Sequence, residues 1–158
     1  AHYSIATRDL EREVVPLLQD QNVGLMVWSP LSGGFLSGKY KRDQQPGETS
    51  RRKEFDFPPI DKEKAYDIIE VMEQIAGNHK ASVAQIALAW LLHQEVVTTV
   101  IVGARKMEQL EDNIQSTQIQ FSQDELNKLD EISRLHPEYP GWMVQFMQSD
   151  RDPNQPRE

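Results

Sequence analysis

Residue types able to do chemistry gather in two short segments of the 158-residue chain. The first runs Val27-Trp28-Ser29-Pro30-Leu31-Ser32-Gly33-Gly34-Phe35-Leu36-Ser37-Gly38-Lys39. A flat indole at Trp28 can stack on a flat ring. Ser29 and the backbone amides near Gly33 and Gly34 can approach a pyrophosphate closely, because glycine has no side chain to hold it off. Lys39 can neutralise phosphate charge. The plainer reading is a Gly/Pro-rich turn with Trp28 in the core. The second segment runs Val100-Ile101-Val102-Gly103-Ala104-Arg105-Lys106-Met107-Glu108-Gln109-Leu110-Glu111-Asp112-Asn113. Here an apolar run ends in Gly103 and a helical pattern follows at once, so free amides and the positive end of the dipole converge. Arg105 and Lys106 suit a phosphate there. Spacings of three and four put Arg105, Gln109, Asp112 and Asn113 on one helix face. Asp112 and Asn113 offer an acceptor and a donor/acceptor to an adenine amine. The plainer reading is a solvated polar face on a surface helix. Taken together, the two segments read as a dinucleotide site split into its parts.

Other candidates carry less. His2, His79, His93 and His136 are scattered without metal-ligand spacing, so no metal site is expected. The Arg51-Arg52 pair either closes over a phosphate or is solvated. Tyr66, Tyr139 and Trp142 read as packing residues. Ser4, Ser29 and Ser32 lack a G-x-S-x-G setting, which argues against a serine hydrolase.

The elements that must position these segments follow from apolar periodicity. Leu10, Val14, Leu17 and Leu18 recur at helical spacing, and Pro16 is tolerated only in a first turn, so a helix is expected near 13–22. Residues 23–28 have the length and flanks of a strand buried on both faces. Residues 29–59 read as a long loop of the lid or binding type. Asp61 caps a helix whose stripe is Ala65, Ile68, Ile69, Met72, Ile75 and Ala76, ended by Gly77-Asn78. Ser82 caps an apolar, buried helix over 83–94. Residues 98–103 form a second strand, followed by a helix over 104–115. Ser122 with Glu125 makes a capping box for a helix over 123–135. From Pro137 onward the chain turns polar and Pro-rich, with 151–158 a flexible tail after a single unit over 1–150. The order is that of an α/β fold with parallel strands.

Composition narrows the classes. Lys and Arg number 17 against 25 Asp and Glu, a net charge of -8, so the broad basic footprint of a nucleic-acid binder is missing. No apolar stretch approaches ~18 residues, so no membrane span is expected. There are no cysteines, hence no disulfides and no thiol nucleophile. With no basic-then-apolar start that would mark a signal peptide, the expected location is cytoplasmic. The absence of an initiator methionine points to an excerpted, processed or tagged chain.

Trp28-Ser29-Pro30-Leu31-Ser32-Gly33-Gly34 with Leu36-Ser37-Gly38-Lys39-Tyr40, then Gly103-Ala104-Arg105 and Gln109-Leu110-Glu111-Asp112-Asn113, resembles the aldo-keto reductase superfamily. Within it, the likeness is to the bacterial branch related to potassium-channel beta subunits. Ala84-Gln85-Ile86-Ala87-Leu88-Ala89-Trp90-Leu91 and Glu138-Tyr139-Pro140-Gly141-Trp142 support it, and the similarity covers residues 3–150.

This resemblance implies the C-terminal half of a (β/α)8 TIM barrel in an enzyme that reduces aldehydes or ketones with NADPH. It implies that Trp28 stacks on the nicotinamide, and that Ser29, Leu31, Gly33 and Lys39, with Pro30 and Ser32 in the same motif, line the pyrophosphate. Arg51 folds over it. Gly103, Arg105, Gln109, Asp112 and Asn113 hold the adenosine 2′-phosphate end. Family members often carry Glu where Asp112 stands, a mild shortening. The family's catalytic Asp, Tyr, Lys and His belong to the first half of the barrel and match nothing here, so His2, Tyr3 and Lys39 are not recruited to those roles. A barrel takes typically ~250 residues, so this chain alone is expected not to close and to be inactive by itself. The expected partner is a small aldehyde or ketone, with no nucleic acid and no membrane; an isolated half has open sheet edges that favour pairing with a complementary half-barrel or with itself. The alternatives are a truncated, non-catalytic nucleotide-binding or interaction module, and an excerpt with no independent role.

Overall fold

The computed structural model describes residues 1–42 and 55–147; Arg51, Arg52 and the expected tail 151–158 lie outside the described residues. A 3-10 turn at Asp9–Glu11 leads to helix α1, Val14–Asp20. Pro16 falls in its first turn, where its missing N–H costs nothing. Strand β1 is Leu25–Val27, followed by 3-10 turns over Ser32–Ser37 within the stretch expected to be loop. Helices α2, Lys62–His79, and α3, Val83–Leu92, lead to strand β2, Val97–Val100. Helix α4, Met107–Gln115, a 3-10 turn at Ser116–Gln118, and helices α5, Gln123–Ser133, and α6, Gly141–Phe146, complete the order.

The strands β1 and β2 are parallel neighbours, with Leu25 opposite Val97 and Val27 opposite Val100. Parallel strands need a long crossover, which α2 and α3 supply. Gly24 sits where the two strands approach so closely that a side chain would collide with Thr98.

Caps set the helix starts. Asp61 accepts from the Lys64 amide at 3.1 Å and Ser82 from the Gln85 amide at 3.1 Å. Ser122 and Glu125 close a reciprocal box. The α2 stripe is wholly buried, from Ala65 to Ala76, and meets Ile86, Ala87, Trp90 and Leu91 of α3 with Leu25 and Val27 of β1. Each of the Leu, Ile, Val and Met side chains among them contributes roughly 1.5–3 kcal/mol through burial.

A buried polar network closes one side of this core. Arg8 donates to Glu11 at 2.7 Å and to the Ser133 hydroxyl at 2.7 Å, pairs with Asp130 at 2.8 Å, and lies 5.3 Å over the Trp90 ring. Burial opposes its charge, but Glu11 and Asp130 outweigh it and raise the Arg8 pKa. Elsewhere His79 of α2 meets Glu125 of α5 at 3.0 Å. Burial alone would raise the Glu125 carboxyl, yet bonds from the Ser122 amide, His79 and the Ser122 hydroxyl bring it down to about 2.

Several expectations are corrected. Helix α2 runs past Gly77-Asn78 to His79 and stops at Lys80, whose φ of 52° is left-handed. Helix α4 begins at Met107 rather than 104, because Lys106 is extended. Helix α6 adds a short helix in the stretch after Pro137 that the sequence reads only as polar and Pro-rich. The strands are shorter than expected, and β1 is not buried on both faces. Leu25 and Val27 point into the core, while Met26 is 57% exposed. Leu25 and Val27 share the core cluster with residues of α2 and α3, while among the described residues the Met26 side of β1 stays open. Val14 and Leu17 of α1 are exposed as well.

Candidate functional site

A cleft of about 670 Å³ opens where the two parallel strands end. Val27 accepts a 2.8 Å hydrogen bond from the Ile101 amide, so Trp28 and the segment 101–103 leave the sheet side by side. Trp28, Ser29, Pro30, Leu31, Gly33 and Lys39 line one part of the cleft; Gly103, Arg105, Gln109, Asp112 and Asn113 line another. Trp28 is 38% exposed and so is not a core residue. Its indole stacks on Phe57 with ring centres 6.0 Å apart and 11° between planes, and His2 lies 4.8 Å away.

The turn after Trp28 is built from left-handed residues: Ser29 at φ 53°, Ser32 at 48°, Gly33 at 64° and Gly34 at 90°. The two glycines adopt this freely, whereas the conformation costs the serines roughly 1–2 kcal/mol each. Side-chain and backbone bonds hold the turn. The Ser29 hydroxyl accepts from the Gly33 amide at 3.1 Å, and the Leu31 carbonyl accepts from the Gly34 amide at 2.9 Å. This corrects the expectation that those amides await a pyrophosphate: they are used inside the turn. A side chain at Gly34 would meet no atom within 4 Å, so the backbone there borders open space. Ser32 does not line the cleft either. It is fully buried and its hydroxyl bonds to that of Ser4 at 2.8 Å, tying the turn to the first residues of the chain.

At the other strand end, the four-residue spacing of Arg105 and Gln109 acts through the backbone. The Gln109 Oε1 accepts from the Arg105 amide at 3.0 Å, one turn before the helix proper. That fixes the extended entry to α4 and leaves the Arg105 guanidinium exposed. Neither Arg105 nor Lys39 forms an ion pair with the described residues. Asp112, expected to face an adenine amine, has one carboxylate oxygen bonded by the Ser82 hydroxyl at 2.7 Å and the other by the Gln85 amide group at 2.6 Å.

An exposed indole, a glycine backbone bordering open space and two exposed cations thus line one cleft beyond the ends of adjacent strands. A family model described as "Aldo/keto reductase family" matches residues 1–134. The chain belongs to the aldo/keto reductase family. It is 30% identical over 133 residues to the "NADH-specific methylglyoxal reductase" of Escherichia coli (strain K12), covering 84% of this chain and 40% of that protein. It is 33% identical over 144 residues to a Schizosaccharomyces pombe protein named "Putative voltage-gated potassium channel subunit beta", covering 85% and 41%. Among solved structures it matches a thermostable aldo-keto reductase, Tm1743, crystallised with the inhibitor epalrestat. The TM-score is 0.57 and the identity 29%, over 83% of this chain and 38% of that one. The chain thus spans about two fifths of the length of the curated relatives it matches, and its fold is that of the C-terminal part of a (β/α)8 barrel.

An aldo/keto reductase uses a nicotinamide dinucleotide, and the cleft fits one on its own observations. The Trp28 indole is accessible, side chains at Gly34 and Gly103 would point into empty space, and Arg105 and Lys39 are exposed cations. A ring laid on Trp28 has to share the indole with Phe57. Tyr3 is turned away from such chemistry. It is buried, its hydroxyl donates to Glu11 at 2.6 Å, and burial together with that carboxylate pushes its pKa far up. Sequence reasoning missed Phe57, Ser82 and Gln85. The first falls in an apparent loop. The other two form a Ser-x-x-Gln pattern that reads as local capping, with no sign of Asp112 as a partner.

Proposed function

We propose that this part of an aldo/keto reductase holds NADPH for the reduction of a small aldehyde or ketone. The observation that carries the reading is that Trp28 and Arg105, 77 positions apart in sequence, line one cleft at the ends of adjacent parallel strands. When bound, NADPH supplies the hydride that turns a carbonyl into an alcohol. The residues of this chain bind and orient. Trp28 offers a flat apolar face to the nicotinamide. Ser29, Pro30, Leu31, Gly33 and Lys39 border the pyrophosphate, Lys39 with a neutralising charge. Arg51 lies outside the described residues, and its role over the pyrophosphate rests on the motif alone. Gly103 gives the backbone close approach, and Arg105 pairs with the adenosine 2′-phosphate beside Gln109 and Asn113. The motif resemblance assigns the proton for the carbonyl oxygen to the first half of the barrel, and Tyr3, committed to Glu11, does not take that role.

The test is cofactor titration of the protein and of Arg105→Ala. Removing the guanidinium that faces the phosphate should weaken NADPH about tenfold or more and leave NADH little changed, by the size of hydrogen bonds to charged groups. An equal weakening of both cofactors would count against the 2′-phosphate assignment, and would bring the chain nearer its NADH-specific relative. Turnover of an aldehyde by the 158 residues alone would overturn the division of labour. Binding without turnover fits it, and fits equally a nucleotide-binding module.

A further inference from the structure

We infer that Ser82 and Gln85 are positioning residues for the adenosine end of the cleft, acting through Asp112; this rests on the cofactor reading above. Helix α4 carries Gln109, Asp112 and Asn113, yet none of its residues is buried. Met107 and Ile114 are more than half exposed. Burial of apolar surface therefore does little to fix where α4 lies. Among the described residues, the side-chain hydrogen bonds that join α4 to another helix are the two received by Asp112. Ser82 donates to Oδ2 at 2.7 Å and Gln85 to Oδ1 at 2.6 Å. Both donors sit at the start of α3, Ser82 as its cap and Gln85 in its first turn, and α3 is packed into the core.

The use made of Gln85 is informative. Ser82-Val83-Ala84-Gln85 has the capping-box pattern, whose second arm would return to the Ser82 amide. The same pattern at Ser122–Glu125 closes in that way. At α3 the first arm forms, but the Gln85 amide group reaches across to Asp112 instead. Charge-assisted bonds of this length are the strong ones. They pin α4 to a rigid helix at the point where its face turns toward the cleft, and so set the placing of Arg105, Gln109 and Asn113. Asp112 then serves chiefly as the anchor rather than as the free acceptor for an adenine amine.

Three probes separate the ends of the cleft: NADPH, 2′,5′-ADP for the Arg105 end, and reduced nicotinamide mononucleotide for the Trp28 end. In the protein carrying Gln85→Leu, NADPH and 2′,5′-ADP should each bind about tenfold more weakly, the size of one hydrogen bond to a charged group, while the mononucleotide is unaffected. Gln85→Glu should weaken the same two ligands further, because two carboxylates then face each other. Adding Asp112→Asn to Gln85→Glu restores a donor–acceptor pair and should recover affinity. That rescue is a result no general loss of stability would give, and thermal midpoints of each variant register folding separately. Unchanged 2′,5′-ADP binding in Gln85→Leu, equal weakening of the mononucleotide, or no rescue overturns the inference while leaving the cofactor reading intact. Failure of the unmodified protein to bind NADPH or 2′,5′-ADP overturns both.

Discussion

The two helices that flank the site differ in how they are held. Helix α3 buries seven of its ten residues, whereas α4 buries none of its nine. The first is part of the core and takes its place from packing with α2 and β2. The second forms the wall of the cleft and takes its place from Gln109 bonding the Arg105 amide and from Asp112 bonding Ser82 and Gln85. The cleft thus has a rigid floor and a wall held by a few directed bonds. Such a wall can be placed accurately with little buried area, but it tolerates apolar change and is sensitive to loss of single polar groups.

The largest expected effect lies on the packed side. Trp90 is 2% exposed, so Trp90→Ala should cost about 3–5 kcal/mol in chemical denaturation, through reduced burial and the cavity left behind. The matching truncation in the wall, Met107→Ala at a position 66% exposed, should change stability by no more than about 0.5 kcal/mol. Comparable losses at the two sites would break the contrast.

An intermediate effect tests Glu125, which closes the α5 cap and meets His79 of α2. The Glu125 carboxyl is held at about 2, below its ordinary 4.5, so it stabilises the fold above the ordinary value and loses that contribution as pH falls toward 2. Glu125→Gln should lower stability on the order of 2 kcal/mol at pH 6, with the gap to the unmodified protein closing in thermal melts between pH 4.5 and 2. A gap independent of pH would show that the bonds from the Ser122 amide, His79 and the Ser122 hydroxyl together contribute no differential stabilisation of the charged form.

The smallest effect on stability is expected at the open sheet face. Met26→Thr, at a position 57% exposed, should shift the denaturation midpoint by less than the equivalent of about 0.5 kcal/mol. The same change at Val27, which is fully buried one residue later, puts a hydroxyl into the core and should cost about 1–3 kcal/mol. Equal costs at neighbouring positions would mean that the outer face of β1 is covered after all.

How much of this is legible in the sequence depends on the distance over which each feature is decided. The α2 stripe from Ala65 to Ala76 is legible because its spacing keeps one side of the helix apolar. The burial of β1 is not legible from the same kind of pattern. An apolar run of six says that a strand can be buried on both faces, but whether both are covered depends on neighbours elsewhere in the protein. The motif puts the Ser32 hydroxyl in the cleft, yet the left-handed turn rotates it inward to Ser4, 28 residues earlier. The amides of Gly33 and Gly34 look free in the sequence because it shows which residues a turn contains, not which of its donors remain unpaired.

Local chemistry suffices for the caps at Asp61, Ser82 and Ser122, for the order of the elements, and for the pairing of an indole after one strand with an arginine after the next; all of these can be read from the sequence. They depend on groups within a few covalent bonds or on motifs that recur as units. It takes the folded chain to show that the second arm of the Ser82 cap goes to Asp112 while that of the Ser122 cap stays at home. A side-chain amide has more than one partner within reach, and its choice is settled by which charge lies opposite in space. For Gln85 that charge is 27 residues away, brought close by the packing of one helix against the next.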